Sequence, residues 1–135
     1  MESLGAFVSK SDWVTAVKRT DKPWGHEELF AHVPGKYAGK AIHVGEGHAL
    51  SLQFHERKEE TISCLSGRFK VEVGEHESRL EEFELAPGES IHLRPGVRHR
   101  ITALEDSVFL EASTTELDDG VRLEDRYGCE GTSAP

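Results

Sequence analysis

The sequence predicts a single all-β domain with little helix, a sandwich or jelly-roll barrel. Eight or nine short strand-like segments follow one another at regular spacing and are separated by turns that contain Gly or Pro. No segment before residue 113 has the apolar spacing of a long helix. The 135 residues are enough to enclose one hydrophobic core but not two.

The strands can be assigned in order along the chain. The clearest covers residues 68–73, where Phe69, Val71 and Val73 alternate with Lys70 and Glu72, so that one face packs in a core and the other faces solvent. A strand beginning at residue 60 precedes it. The remaining predicted strands cover residues 27–30, 40–44, 50–55, 80–85, 90–93, 99–103 and 107–112.

This pattern divides the chain into three parts. We expect an N-terminal extension over residues 1–21, one barrel with its closing segment over 22–128, and a flexible tail over 129–135. The extension contains Trp13 and Val17, and small barrels often have an open sheet edge that must be covered. We therefore expect the extension to contact a partner subunit in a homodimer.

Composition excludes several classes of partner. The chain has 25 acidic and 16 Lys or Arg residues and a net charge of −9, whereas nucleic-acid binding needs a basic surface. No apolar run is long enough to span a membrane, and residues 1–20 lack the apolar core of a signal peptide. Cys64 and Cys129 are too few for a disulfide framework. These features predict a cytoplasmic protein with two free thiols that binds neither nucleic acid nor membranes.

Four residues form a candidate metal site. Gln53 and His55 lie two apart on one strand and share a face, Glu60 begins the next strand, and a Pro-Gly turn leads to His99. Two His and one carboxylate with open positions are typical of Fe, Mn, Ni or catalytic Zn sites. Because the chain contains eight His, a surface or hydrogen-bonded core role for His55 remains an alternative from composition alone.

The spacing strengthens the metal hypothesis. The pattern Gly47-x5-Gln53-x-His55-x4-Glu60-x6-Gly67 resembles the first cupin motif, whose usual form has His where Gln53 stands. Residues Gly88, Pro95, Gly96 and His99 resemble the second motif. The resemblance implies a cupin jelly-roll barrel (a double-stranded β-helix) and one divalent metal ion, Zn, Mn, Fe or Ni, bound by Gln53, His55, Glu60 and His99.

Other segments resemble one branch of the cupins. Lys22-Pro23-Trp24-Gly25, Ser51-Leu52-Gln53-x-His55 and residues 117–128 are similar to type II mannose-6-phosphate isomerase, including the isomerase end of bifunctional mannose-1-phosphate guanylyltransferases. The resemblance covers residues 22–128. It implies a metal-dependent isomerase or epimerase that acts on a sugar or sugar phosphate.

Such a reaction needs a metal that polarises the substrate and a group that moves a proton. Glu111, which corresponds to an interior Glu in the resemblance, is a candidate proton-transfer residue, as are His92 and Lys58. Arg94 is a candidate for binding a substrate phosphate. His43 is a further substrate-binding candidate, although its strand pattern does not show which face lines the cavity.

Two other functions fit the same residues. Two His and one carboxylate also suit Fe(II) and oxygen chemistry, so a dioxygenase or a polyketide cyclase is one alternative. A non-catalytic barrel that binds a small ligand is the other. The candidate residues also have structural alternatives, since Glu111 could be an edge carboxylate and Lys58 a solvated side chain.

Overall fold

A computed structural model describes residues 9–128 and the backbone of residues 131–133. Its secondary structure consists of twelve strands and one short helix, α1 (Lys10–Trp13). The all-β prediction is therefore confirmed. In chain order the strands are β1 (Lys18–Lys22), β2 (Gly25–Val33), β3 (Tyr37–Val44), β4 (Leu52–His55), β5 (Glu60–Ser66), β6 (Phe69–Gly74), β7 (Glu81–Leu85), β8 (Ser90–Leu93), β9 (Arg98–Ala103), β10 (Ser107–Ser113), β11 (Gly120–Glu124) and β12 (Gly131–Ser133).

The strands form two six-stranded antiparallel sheets. Sheet A has the order β1-β2-β3-β10-β5-β8, and sheet B has the order β12-β11-β4-β9-β6-β7. Strands that are neighbours in space are often distant in sequence, because the chain passes repeatedly from one sheet to the other. This double-sheet arrangement is that of a jelly roll.

The inner faces of the two sheets enclose the apolar core. As predicted from its alternation, β6 buries Phe69 and Val71 completely, while Lys70 and Glu72, which follow them in turn, are partly exposed. The Phe69 ring packs on Phe109 of the opposite sheet, with 5.3 Å between ring centroids. Strand β6 therefore contributes every second side chain to the core, as expected for a sheet with one solvated face.

A hydrogen bond joins the Pro95-Gly96 turn to the end of β4. The backbone N–H of Gly96 donates to the carbonyl oxygen of His55 at 2.7 Å. Gly96 has a φ of +85°, a conformation that glycine adopts without steric penalty. The turn thus connects the two distant segments that carry the histidines of the candidate metal site.

The chain ends are only partly described. Strand β1 begins in the predicted N-terminal extension, extends one residue beyond it to Lys22 and pairs with β2, so this part of the extension belongs to sheet A. Strand β12, within the predicted tail, pairs with β11. Residues 1–8, 129, 130, 134 and 135, including Cys129, lie outside the described residues.

The proposed homodimer contact stays a prediction. Trp13, Val14 and Val17 of the extension are each more than half exposed.

Among the described residues, no helix has both the length and the apolar character needed to cross a lipid bilayer.

The outer face of sheet B carries a strong surface ion pair. Arg100 of β9 donates two hydrogen bonds to Glu72 of β6, at 3.0 and 3.1 Å, and a third to Glu124. Hydrogen bonding by Arg100 lowers the pKa of Glu72 below its usual value. Because both side chains are partly shielded from solvent, this paired geometry contributes more than an isolated surface contact.

We predict that Glu72→Gln lowers the free energy of unfolding by about 0.5–1 kcal/mol at pH 7. A carboxylate whose pKa is lower in the folded state stabilises the protein above its unfolded pKa, and this contribution disappears as pH falls through the folded pKa. The difference between variant and wild type should therefore shrink in strong acid. Urea denaturation at several pH values measures it.

Glu82→Gln is the matched control, because Glu82 is more exposed and lies 3.8 Å from its partner Lys70. It should change stability less than Glu72→Gln. Equal effects of the two substitutions at pH 7 would contradict the assigned role of the Arg100 pair.

Candidate metal centre

The three strongest candidate ligands come from both sheets. His55 ends β4 and His99 lies near the start of β9, which are adjacent strands of sheet B; Glu60 begins β5 of sheet A. The Gln53–His99 register aligns β4 with β9. His55, Glu60 and His99 are all buried and face one another across the space between the sheets.

The distances fit a single ion. Glu60 Oε1 lies 3.4 Å from His99 Nε2, and Glu60 Oε2 lies 3.7 Å from His55 Nε2. Ligand atoms about 2.0–2.2 Å from one ion lie roughly 3–3.5 Å apart when the coordination is tetrahedral. One atom from each of the three residues lies within 4.8 Å of the others. Small movements of the three side chains toward one another would therefore bring these atoms within coordinating distance of a single ion.

Hydrogen bonds on the far side of each imidazole leave Nε2 facing the cluster. His99 Nδ1 lies 3.2 Å from the carbonyl oxygen of Val97, which can only accept a hydrogen bond. His55 Nδ1 lies 3.1 Å from Asp119 Oδ1. A proton on Nδ1 leaves the Nε2 lone pair available to a metal. Burial also lowers the pKa of His55, which favours the neutral form that binds metals.

The bonding of Glu60 also fits a cation. Its Oε2 is buried and accepts no hydrogen bond of good geometry, although Lys58 Nζ lies 3.1 Å away. Burial alone would raise the pKa of Glu60, but the charge of Lys58 and the nearby imidazoles of His99 and His55 lower it. Glu60 is therefore a buried carboxylate whose Oε1 faces His99 and whose Oε2 faces His55, an arrangement that suits a divalent ion.

Lys58 and Glu111 form a buried pair beside this cluster. Lys58 is 2% exposed, and its Nζ donates to Glu111 Oε2 at 2.8 Å. Burial favours the uncharged lysine, but Glu111 and Glu60 outweigh it and raise the pKa of Lys58. Burial raises the pKa of Glu111. The predicted alternatives, an edge carboxylate and a solvated lysine, do not describe these two side chains.

The residues line one cavity of about 110 Å³ between the sheets. Its apolar wall includes Ile62, Ile101 and Phe109, which border the core, and Trp24 lies at its edge. Gln53 also lines it. A Cβ on Gly120 would lie 3.3 Å from the His55 ring and 3.4 Å from Gln53 Oε1, so a larger residue would press on both. The cavity thus combines an apolar wall with a compact group of charged residues.

A second buried ion pair lines the cavity and was missed in the sequence. Lys40 of β3 and Glu27 of β2 are both buried, with 3.4 Å between Lys40 Nζ and Glu27 Oε1. Burial lowers the pKa of Lys40. Period-2 alternation places Lys40 on the same face as Ile42 and Val44, but the sequence does not show that this face is the internal one.

Asp119 is another residue beside the candidate metal centre that sequence reasoning missed. Its carboxylate accepts hydrogen bonds from the backbone N–H groups of Arg57 and Lys58, at 2.7 and 2.9 Å, while contacting His55. Burial would raise the pKa of Asp119, but these two N–H groups lower it. The pairing of Gly120 with His55 places Asp119 here, and no local motif indicates that pairing.

Three predicted residues lie away from the cavity. His92 is on the outer side of β8 and contacts Glu59. Arg94 is exposed beside a surface groove. His43 faces outward from β3, next to Glu28. The structure therefore brings together Gln53, His55, Glu60, His99, Lys58 and Glu111, but not these three.

The two facing sheets, with a His-Glu-His cluster between them, define a jelly-roll protein with a candidate metal centre. The family model described as a cupin domain matches residues 40–112. The chain belongs to the cupin family.

Similarity to a characterised enzyme extends further along the chain. Mannose-1-phosphate guanylyltransferase ManC of Salmonella typhimurium is 30% identical over 112 residues, which cover 79% of this chain and 22% of the enzyme. The chain thus corresponds to about a fifth of the length of this relative.

Solved structures share the fold. CapF of Staphylococcus aureus, a capsular polysaccharide assembling protein, has a TM-score of 0.74 at 17% identity, covering 89% of this chain and 35% of CapF. KdgF of a Halomonas species has a TM-score of 0.63 at 23% identity, covering 73% and 88%. Oxalate decarboxylase of Bacillus subtilis has a TM-score of 0.70 at 17% identity, covering 79% and 30%.

We predict that Asp119→Asn weakens metal binding at the cluster by about 10–100-fold, the usual effect of removing a carboxylate that orients a ligating His. Isothermal titration with Zn²⁺ measures the change. Asp118→Asn is the matched control, because Asp118 is exposed and should leave the affinity unchanged. An unchanged affinity in Asp119→Asn would show that Asp119 does not position His55 for a metal.

Proposed function

We propose that this cupin is a metal-dependent isomerase or epimerase that acts on a sugar or sugar phosphate. The carrying observation is that one cavity contains both the His55–Glu60–His99 cluster and the buried Lys58–Glu111 pair. A cluster of metal ligands next to a buried acid–base pair supplies the two elements of a metal-assisted aldose–ketose isomerisation, carbonyl polarisation and proton transfer. The similarity to ManC, whose name includes a sugar phosphate, supports the proposed substrate class.

The proposed metal ligands are His55, Glu60 and His99, with Gln53 as the fourth. When bound, one divalent ion (Zn, Mn, Fe or Ni) would supply Lewis-acid polarisation of the substrate carbonyl. An amide oxygen is a weaker ligand than the imidazole found in the usual motif, so Gln53 would hold the ion less tightly and leaves its identity open. Two His and one carboxylate leave open positions, as in catalytic sites.

We assign proton transfer to Glu111. Burial raises its pKa, which brings a carboxyl group closer to the neutral range where general acid–base catalysis is most effective. Lys58 lies between Glu111 and Glu60 and contacts both carboxylates. The positive charge of Lys58 would attract both carboxylates. Glu111 would thus stay close to the metal cluster without touching the carboxylate of Glu60.

The sequence also supports a proposal for the partners of the protein and for its location. The partners would be a small-molecule substrate, such as a sugar phosphate, and a second copy of the chain. We propose a cytoplasmic location, and Cys64, a buried free thiol, agrees with a reducing compartment.

We predict that His55→Ala and His99→Ala each lose the cavity metal but remain folded, because each substitution removes one of few ligands from a preformed site. Elemental analysis of the purified proteins, together with circular dichroism, measures both properties. His76→Ala, in a surface loop, is the control and should retain the metal. Metal retained at the wild-type level in both ligand variants would refute the ligand assignment.

We predict that Glu111→Gln reduces isomerisation by about 100-fold or more, the usual contribution of a positioned acid or base, while metal content stays unchanged. Incubation of the metal-loaded protein with mannose 6-phosphate in D₂O, followed by NMR, detects fructose 6-phosphate and solvent deuterium at its C1, with deuterium at C2 only in mannose 6-phosphate re-formed by the reverse reaction. Wild-type activity in Glu111→Gln would exclude Glu111 as the proton-transfer residue.

The same preparation tests the alternative classes. Iron with substrate-dependent oxygen uptake would instead indicate a dioxygenase, since two His and one carboxylate also suit that chemistry. A cavity that binds the sugar phosphate without converting it would indicate a binding protein.

A further inference from the structure

A second group of ligating side chains lies on the outer face of sheet A. Among the described residues, two groups of three bring their metal-ligating atoms within 4.8 Å of one another; one is the cavity cluster, and the other consists of His26, Glu28 and His43. Glu27 lines the cavity, so its neighbours on β2, His26 and Glu28, face the opposite way. The second group is therefore separated from the cavity by the sheet itself.

The sheet register creates this group. His26 of β2 is directly opposite His43 of β3, and cross-strand neighbours on one face have Cβ atoms about 4.5–5.5 Å apart. The two rings are stacked, with 4.2 Å between centroids and an interplanar angle of 14°. Glu28 is two residues from His26 on the same face and lies beside both rings.

The ligand atoms converge on one point of the surface. Glu28 Oε1 lies 2.7 Å from His43 Nε2 and 3.6 Å from His26 Nε2. The side chains of His26, Glu28 and His43 are 20%, 36% and 37% exposed. An ion can therefore enter from solvent, and water can complete its coordination after a small rotation of the rings.

Gly25 keeps the two strands close at this position. Its φ is +151°, and a Cβ there would lie 2.0 Å from the carbonyl oxygen of His43. Only glycine permits this approach, and the next residue is His26. The Lys22-Pro23-Trp24-Gly25 turn thus fixes the backbone beneath both imidazoles, which makes the pair a preformed feature of the sheet.

The neighbouring charges are compatible with a cation. On the adjacent strand β1, Asp21 is opposite His26 and Arg19 is opposite Glu28. The Arg19 guanidinium contacts Asp21 at 3.0 Å, so these two side chains compensate each other and add no net charge beside the group. The chain has a net charge of −9, so its surroundings attract cations rather than repel them.

We propose that His26, Glu28 and His43 form a second metal site, on the protein surface, that binds a borderline divalent ion such as Zn²⁺ or Ni²⁺. Two imidazoles favour these ions over Mg²⁺ and Ca²⁺, which prefer oxygen ligands. With three protein ligands the site is open, and water or a group from another molecule occupies the remaining positions. It gives outward-facing His43 a role other than contact with a substrate in the cavity.

Zn²⁺ titration of the chelator-treated full chain tests this proposal. Equilibrium dialysis with elemental analysis should give two equivalents of Zn²⁺ per chain for the wild type. His43→Ala should bind one equivalent, as should Glu28→Gln, which provides a second variant with little change in shape. His92→Ala is the matched control, because it also removes an exposed His that contacts a glutamate. The His92–Glu59 pair offers one imidazole instead of two, so this variant should keep both equivalents of Zn²⁺.

Cavity variants separate this proposal from the proposed function. His55→Ala should keep the surface equivalent, and His43→Ala/His55→Ala should bind none. If the cavity binds no metal, the wild type will hold one equivalent that disappears in His43→Ala but not in His55→Ala, which would leave the surface site established. Two results would overturn the surface site. The first is two equivalents of Zn²⁺ bound by both folded variants, His43→Ala and Glu28→Gln. The second is a wild type that binds one equivalent of Zn²⁺, which is lost in His55→Ala but not in His43→Ala.

Discussion

The buried carboxylate of Glu60 is the constraint on which the candidate metal centre depends. It projects from sheet A toward two histidines of sheet B, and Lys58 lies against it. A carboxylate removed from water is costly unless positive charge compensates it. The ammonium of Lys58 provides part of that compensation, and the facing Nε2 atoms mark a place where a cation would provide more.

The other buried charges in the cavity extend this balance. Lys58 and Lys40 oppose Glu27, Glu60 and Glu111, which gives two positive and three negative groups among these buried residues. A divalent ion would change the sum from −1 to +1. The loaded cavity would then favour an anionic ligand more than the metal-free cavity does.

Sequence reasoning predicted the fold and the convergence of distant segments. Alternation identified β6, and the motif spacing brought together His55, Glu60 and His99. Patterns along one strand cannot show which strands become neighbours, however, and for this reason Asp119 was not recognised: its position depends on the pairing of β11 with β4. His92 and His43 were misplaced relative to the cavity because parity establishes that side chains alternate, but not which face is internal. The same limit applies to Lys40, whose parity matches that of Ile42 but does not show that their shared face is buried.

The pairing of β11 with β4 has a consequence for what counts as the functional unit of this domain. The segment matched by the cupin model ends at residue 112, and it contains every proposed ligand of the cavity ion. The carboxylate that orients His55 follows that segment, and the buried partner of Lys40 precedes it. A fragment trimmed to the family boundaries would therefore contain the proposed ligands but lack Asp119, which contacts His55, and Glu27, which pairs with Lys40.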